Sequence, residues 1–213
     1  MNNPLRKPFR YTYSSLSFIL IGLNLAVYML NMLVPNTMYY MAMIPSFVLN
    51  GYIWQFVTYM FVHSGISHIA FNMLALFFFG QAVERQMGSR EFLLFYLVTG
   101  TLAGIFSFIV YFLTGSNVVL LGASGAVYAV LLAYAVYFPD SRIFIFGIVP
   151  IKARSLVLIY TAIELLSQFG SFRSGISHLT HLAGFGFAFL YFIIRLGVNP
   201  IDSLTGRRGN PWN

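Results

Sequence analysis

Long apolar runs, separated by short polar or glycine- and proline-bearing stretches, dominate the pattern along the chain. The first extends from about Leu16 to Val34, long enough to cross a bilayer as a helix, and ends before Pro35. Arg6, Lys7 and Arg10 precede it as they would precede the core of a signal peptide. The run is too long for that, and no small-residue cleavage site follows, so it is predicted as the first membrane helix. From Asn36 to about Phe61 there is no charge, yet Pro45, Gly51, Trp54 and many aromatics occur, a composition suited to a loop lying in the membrane interface. A second helix is predicted from about Ser67 to Glu84 and a third from about Arg90 to Thr114, with a turn at Gln86-Met87-Gly88-Ser89 between them. The fourth, from about Ser124 to Phe138, is stopped by Pro139 and Asp140. Ile143 to Pro150 is apolar but short and rich in β-formers, and is assigned to a loop lying against the bundle. A fifth helix covers roughly Arg154 to Phe169 and a sixth roughly Ser177 to Leu196. The pattern therefore predicts an all-α polytopic membrane protein: a six-transmembrane-helix bundle with an interfacial loop between its first two helices. One membrane domain occupies residues 1–197, and residues 198–213 form a polar, glycine-rich, mobile cytoplasmic tail.

Composition supports this solvent. Of 213 residues, 59% are apolar or aromatic and only 8% are charged, too few to cover a water-soluble globule of this size. The net charge of +7 does not point to nucleic acid, because the basic residues sit at hydrophobic boundaries and form no run interleaved with exposed aromatics. It points to topology. Arg6, Lys7, Arg10, Arg85, Arg90, Arg142, Lys152, Arg154, Arg195, Arg207 and Arg208 fall on one face of the predicted bundle, and Arg173 alone on the other. By the positive-inside rule both termini are cytoplasmic and the uncharged loops face outward. Without cysteine, a disulfide, an iron-sulfur cluster and a thiolate zinc site are excluded, which leaves Ser, His, Asn, Tyr and carboxylates to carry any chemistry. The pentapeptide Ser-Gly-Ile-Ser-His at Ser64–His68 and again at Ser174–His178 reads as two similar helix starts, with Ser67 and Ser177 as N-caps, and not as an internal repeat.

Depth singles out a few polar side chains. The fourth helix is short, about 22 Å at 1.5 Å per residue, against a hydrocarbon core of about 30 Å. Anchored at Pro139, Asp140 and Arg142, it must begin below the outer surface, with Gly122-Ala123-Ser124-Gly125 at a buried N-terminus. Free N–H groups and the positive end of the helix dipole suit a developing oxyanion there. His181 lies about 21 Å above Arg195 on the sixth helix, the same depth as Ser124. His68 and Asn72, on one face of the second helix, lie roughly 24 and 18 Å above Glu84 and bracket that level. Polar side chains from three helices thus converge on one layer, where they are costly unless they serve a function. Glu164 is the one intramembrane carboxylate, about 15 Å above Arg154. A Ser-His dyad is the simpler reading, with a supporting role for Glu164 left open.

At these residues the chain resembles the rhomboid family of intramembrane serine proteases, in its compact six-helix, bacterial-type form. The likeness runs from Trp54 to about Gly184 and rests on His63, His68 and Asn72 in His-x4-His-x3-Asn, on Gly122-Ala123-Ser124-Gly125 with Tyr128, and on His181-Leu-Ala-Gly184. It implies cleavage of transmembrane segments of single-pass or polytopic membrane proteins, near the outer side of the membrane, without cofactor or metal. Carried over, it makes Ser124 the nucleophile and His181 the general base. It assigns the oxyanion hole to the Ser124 N–H, His68 and Asn72, and packs Tyr128 on the His181 ring. His63, Gly122, Gly125 and Gly184 are supporting positions. Family likeness also suggests gating by the fifth helix or by the loop before the sixth. Two positions depart from the family pattern, which often has Trp-Arg in the first loop and Ala before the sixth-helix histidine: here they are Trp54-Gln55 and Thr180.

Blander readings exist for each motif. Gly-Ala-Ser-Gly alone is a common small-residue helix contact, as is Gly100-Thr-Leu-Ala-Gly104, and lone histidines or an asparagine act as interhelical glue. A metal or haem site built from His63, His68, His178 and His181 is a second hypothesis, disfavoured by unlike depths and the want of a carboxylate cluster. A rhomboid-like protein without activity, binding or escorting membrane clients, is the third.

Overall fold

Each helix begins and ends where the local sequence allows, and the ends are tied to one another across the bundle. A computed structural model describes residues 9–145, 147–169 and 178–206. The first helix, α1 (Leu16–Leu33), has no side-chain cap of its own. Its free N–H groups are taken up from another helix: the Glu84 carboxylate accepts from the Leu16 N–H at 2.7 Å, the Ser17 N–H at 2.8 Å and the Ser17 hydroxyl at 2.6 Å. A negative group at a helix N-terminus is favourable on both hydrogen-bonding and dipole grounds.

The predicted interfacial loop contains the short helices α2 (Thr37–Met41), α3 (Pro45–Leu49) and α4 (Gln55–Thr58), followed by a 3-10 turn at Tyr59–Phe61. Its backbone is held by side chains. Trp54 Nε1 donates to Tyr40 O at 2.8 Å, and the fully buried Gln55 donates to Tyr39 O at 2.8 Å while accepting from the Ile44 N–H at 3.1 Å. A neutral amide, able to donate and accept at once, therefore does the bridging at the position where the family pattern has arginine.

Beyond the loop come α5 (Ile66–Ala75), a π turn at Leu76–Gly80, and α6 (Gln81–Met87), which together make one span. Gly65 is the residue before α5, so Ser67 lies inside the first turn and does not cap it. Ser177, the other predicted cap, and the basic residues Arg6, Lys7, Arg173, Arg207 and Arg208 lie outside the described residues. Next are α7 (Ser89–Leu113), α8 (Ser124–Tyr137), α9 (Ala153–Phe169) and α10 (His178–Tyr191), the last continued by a π turn at Phe192–Leu196. Among the described residues four spans are long and apolar enough to cross a membrane: Leu16–Leu33, Ile66–Met87, Ser89–Leu113 and His178–Leu196. The chain is an integral membrane protein, and side chains such as Leu33, Phe71 and Leu166 lie exposed on its outside, where hydrocarbon is the favourable neighbour.

Two segments differ from expectation. Ile143 to Pro150 lies within an antiparallel hairpin, β1 (Arg142–Ile145) paired with β2 (Val149–Lys152) in the register Arg142↔Lys152. The β-branched residues satisfy one another's backbone across a turn made possible by Gly147 at φ 72°. Lys152 and Arg154 close its base on Asp140 at 3.0 and 3.1 Å, and the hydrogen bond from Lys152 holds the Asp140 carboxyl below the usual carboxylate range. The first part of the expected mobile tail is a helix, α11 (Pro200–Thr205), whose start is capped by Asn199 accepting from the Ile201 N–H and whose Ser203 is buried.

The bundle is built around α8, whose Gly125, Ala126, Ala129, Val130, Ala133 and Val136 are buried. Small residues let its neighbours approach closely, which is how helices associate where no hydrophobic drive separates lipid from side chain. A Cβ added to Gly184 would fall 2.1 Å from Gly125 O, so α8 and α10 meet backbone to backbone. The Gly100-x3-Gly104 pair on α7 accommodates the loop instead. A Cβ at Gly100 would meet Met60 Sδ at 2.0 Å, one at Gly104 would meet Tyr59 Cε1 at 2.6 Å, and Tyr59 OH donates to Gly100 O at 2.7 Å.

Candidate active site

The 25 residues of α7 rise about 37 Å and the 14 of α8 about 21 Å, so the chain between them must come back down into the bundle before α8 begins. Two contacts hold that descent: Met43 and Leu120 exchange backbone hydrogen bonds at 2.9 and 2.8 Å, and the Gly122 N–H donates to Tyr59 O at 2.9 Å. Gly122 then turns the chain at φ 114°, a region L-residues rarely adopt. A side chain there would also strike the His68 ring, since a Cβ would sit 2.7 Å from His68 Nε2. Ala123 precedes the first helical residue, Ser124, whose N–H is one of the unpaired donors at a helix start.

The Ser124 hydroxyl faces α10. Its Oγ lies 2.8 Å from His181 Nε2. Gly184, three residues on and on the same side of α10, is the point of backbone contact with Gly125, so the helix-helix approach itself brings imidazole to hydroxyl. Tyr128, one turn below Ser124, lies flat on the His181 ring, with centroids 4.2 Å apart and planes at 11°. Thr180, which replaces the alanine of the family pattern, shares a 2.7 Å hydrogen bond with Ser107 on α7, so its hydroxyl is satisfied and stays out of the site.

From α5, His68 and Asn72 reach the same place, linked by the Asn72 amide donating to His68 O at 2.8 Å. Ser64 Oγ lies 3.2 Å from His68 Nδ1, leaving Nε2 turned toward Gly122. His63 is buried behind them, its ring 5.0 Å from His68, with Nε2 accepting from the Ala123 N–H at 3.4 Å. Ser124, His181, His68 and Asn72 line one cavity of about 1110 Å³, which continues past Phe78 to Leu156 and Ile145.

Glu164, for which the sequence leaves a supporting role open, and His178, weighed only as a metal ligand, join this group. Glu164, buried on α9, places Oε1 3.0 Å from His181 Nδ1 and accepts from Tyr128 OH at 2.6 Å, while its Oε2 pairs with His178 Nδ1. The signal was present in the sequence. An intramembrane carboxylate needs donors, and His178 and His181 stand at i and i+3 on one helix face. Among the described residues the four histidines considered as a metal site do not form one group. The ligand atoms that do come together, within 4.8 Å of one another, belong to Glu164, His178 and His181. Both imidazoles there are engaged with the carboxylate at hydrogen-bond range.

The family model described as "Rhomboid domain" matches residues 50–197. The rhomboid protease AarA of Providencia stuartii is 29% identical over 192 residues, covering 80% of this chain and 68% of AarA. The rhomboid protease GlpG of Salmonella paratyphi A is 27% identical over 165 residues, or 76% of this chain and 52% of GlpG. A shorter match joins the chain to the rhomboid protease GluP of Bacillus subtilis, 43% identical over 86 residues that make up 40% of this chain and 16% of GluP.

Proposed function

The chain belongs to the rhomboid family, and on that premise we propose that it is a serine endopeptidase that cuts the transmembrane segments of single-pass or polytopic membrane proteins. The observation that carries the reading is the 2.8 Å contact between Ser124 Oγ and His181 Nε2 beside the helix start of α8. A serine hydroxyl is a poor nucleophile until an imidazole takes its proton, and the oxyanion that follows needs donors already in place.

In this mechanism Ser124 Oγ attacks the scissile carbonyl carbon as its proton passes to His181 Nε2. The oxyanion is held by the Ser124 N–H, the Asn72 amide and His68 Nε2–H, the tautomer in which His68 Nδ1 accepts from the Ser64 hydroxyl. His181 returns the proton to the departing amine as the C–N bond breaks, leaving an ester on Ser124. Water deprotonated by His181 then attacks the ester carbonyl, and as the bond to Ser124 Oγ breaks His181 returns that proton to Oγ, freeing the acid product. Gly122 and Gly125 shape the hole and the helix contact, Gly184 sets the approach of α10, His63 backs the His68 ring, and Tyr128 fixes the plane of His181.

A helical substrate hides its carbonyls in its own hydrogen bonds, so the segment must be extended where it is cut. The apolar cavity wall between Phe78 on the second span and Leu156 on α9 suits its entry from the lipid side. The sidedness of Arg85, Arg90, Arg142, Lys152, Arg154 and Arg195 favours cytoplasmic termini and a site that opens to the extracytoplasmic face. Residues 1–197 would then be the membrane domain.

Incubation with a single-pass reporter in liposomes, with mass mapping of the products, tests the reading. One cut within or beside the transmembrane segment is expected, lost in both Ser124→Ala and His181→Ala. Equal cutting by Ser124→Ala would rule it out. Replacing helix-loosening residues beside the cut with leucine is expected to slow cleavage, and an unchanged rate would remove the requirement for an extended substrate.

A further inference from the structure

We propose that Glu164 is the third member of a Ser124–His181–Glu164 triad and positions the imidazole for proton transfer, an inference that rests on the proteolytic reading above. The two nitrogens of His181 are used on opposite sides. Nε2 meets the Ser124 hydroxyl at 2.8 Å, and Nδ1 meets Glu164 Oε1 at 3.0 Å. A carboxylate can only accept, so the proton must reside on Nδ1. Nε2 is then left with a lone pair aimed at the serine. In the other tautomer a bare nitrogen would face a buried anion and an N–H would face the hydroxyl whose proton has to be removed.

The carboxylate is itself fixed. Tyr128 OH donates to Oε1 at 2.6 Å and His178 Nδ1 pairs with Oε2, so three side chains from two other helices hold Glu164 in one orientation. Tyr128 does two things at once, since the ring whose hydroxyl grips Glu164 also lies flat on His181. Rotation of the imidazole is thereby blocked from the face by a ring and at the edge by a carboxylate. When His181 takes the serine proton, a fixed negative charge stands 3.0 Å from the new imidazolium, in surroundings of low dielectric where such stabilisation counts most. A carboxylate buried among helices and spent only on packing would be costly to keep.

Two measurements on Glu164→Gln test this. With the reporter in liposomes, kcat is expected to fall by about 10⁴-fold, the loss seen when a triad carboxylate is neutralised, with KM changed by less than about twofold. In 15N spectra of histidine-labelled protein, with the His181 signal assigned by its loss in His181→Ala, the parent is expected to hold a single Nδ1–H tautomer and Glu164→Gln a mixture. A purely structural glutamate would lower the unfolding midpoint while leaving the tautomer and the kcat of the folded fraction unchanged, and that result overturns the proposal. Should Glu164→Gln fail to fold, Glu164→Asp carries the test, because it keeps the charge and withdraws it by one methylene. It too must lose kcat at constant KM, and full activity overturns the triad. Ser124→Ala separates the two levels of inference. If it is dead while Glu164→Gln is fully active, only the triad falls; if it is active, the protease reading falls first.

Discussion

Gly122 shows how much of the site depends on a single residue. Its φ of 114° and the His68 ring standing where a side chain would be make glycine a requirement of the turn that delivers Ser124. Gly122→Ala is expected to cost about 1–3 kcal/mol in backbone strain and to displace His68, so that cleavage by the folded fraction falls; wild-type kcat in that variant would show that His68 holds no oxyanion. Tyr128→Phe keeps the ring on His181 and deletes only the hydroxyl bond to Glu164. A charge-assisted hydrogen bond is worth about 1.5 kcal/mol or more, and if that is expressed at the transition state kcat falls about tenfold, which reporter kinetics can resolve. The sequence made the level of these residues legible, because rise per residue is fixed: Ser124 and His181 could be matched from their distances to anchoring residues. Rotation about the helix axis was not legible for α9. Rise per residue fixes height alone and not which neighbour a helix face meets, so Glu164 could be placed at a level, and its need for donors inferred, but not set against His181.

At the scale of the elements, the bundle is held by backbone approach at its middle and by polar ties at one end. Gly184 against Gly125 makes the first kind. Gly184→Ala forces α10 away from α8, and overpacking of this sort costs about 1–3 kcal/mol; the expected outcome is a lower unfolding midpoint together with lost cleavage, because the same shift separates His181 from Ser124. The second kind includes Glu91, which accepts from Tyr191 OH and from Arg195 Nε at 2.9 Å and Nη2 at 3.0 Å. Glu91→Gln is expected to lose about 1.5–3 kcal/mol of these charged hydrogen bonds while activity per folded molecule holds, as calorimetry beside reporter kinetics would show. Helix positions followed from the apolar runs and from stops such as Pro139. The hairpin did not, because a short apolar run is ambiguous between loop and strand until a partner strand is known. Nor did α11, six residues long and dependent for its stability on contact with α8.

For the whole molecule the telling feature is a helix too short to cross the membrane, held at the centre of longer ones. In the proposed topology it would put an unpaired helix start and a hydroxyl below the membrane surface, where preplaced dipoles count for more. Sidedness can be read directly because the chain has no cysteine. Single cysteines at Asn50 and Asp140, both exposed, are expected to react with a membrane-impermeant thiol reagent from the outer and the cytoplasmic side respectively. Labelling from the same side would overturn the proposed topology. The central claim, that Ser124 is made nucleophilic by His181, is met most directly by fluorophosphonate treatment of the purified protein and peptide mass mapping of the adduct. The expected result is one adduct on Ser124, absent from His181→Ala; an adduct on another residue, or undiminished labelling of Ser124 without the imidazole, would contradict it.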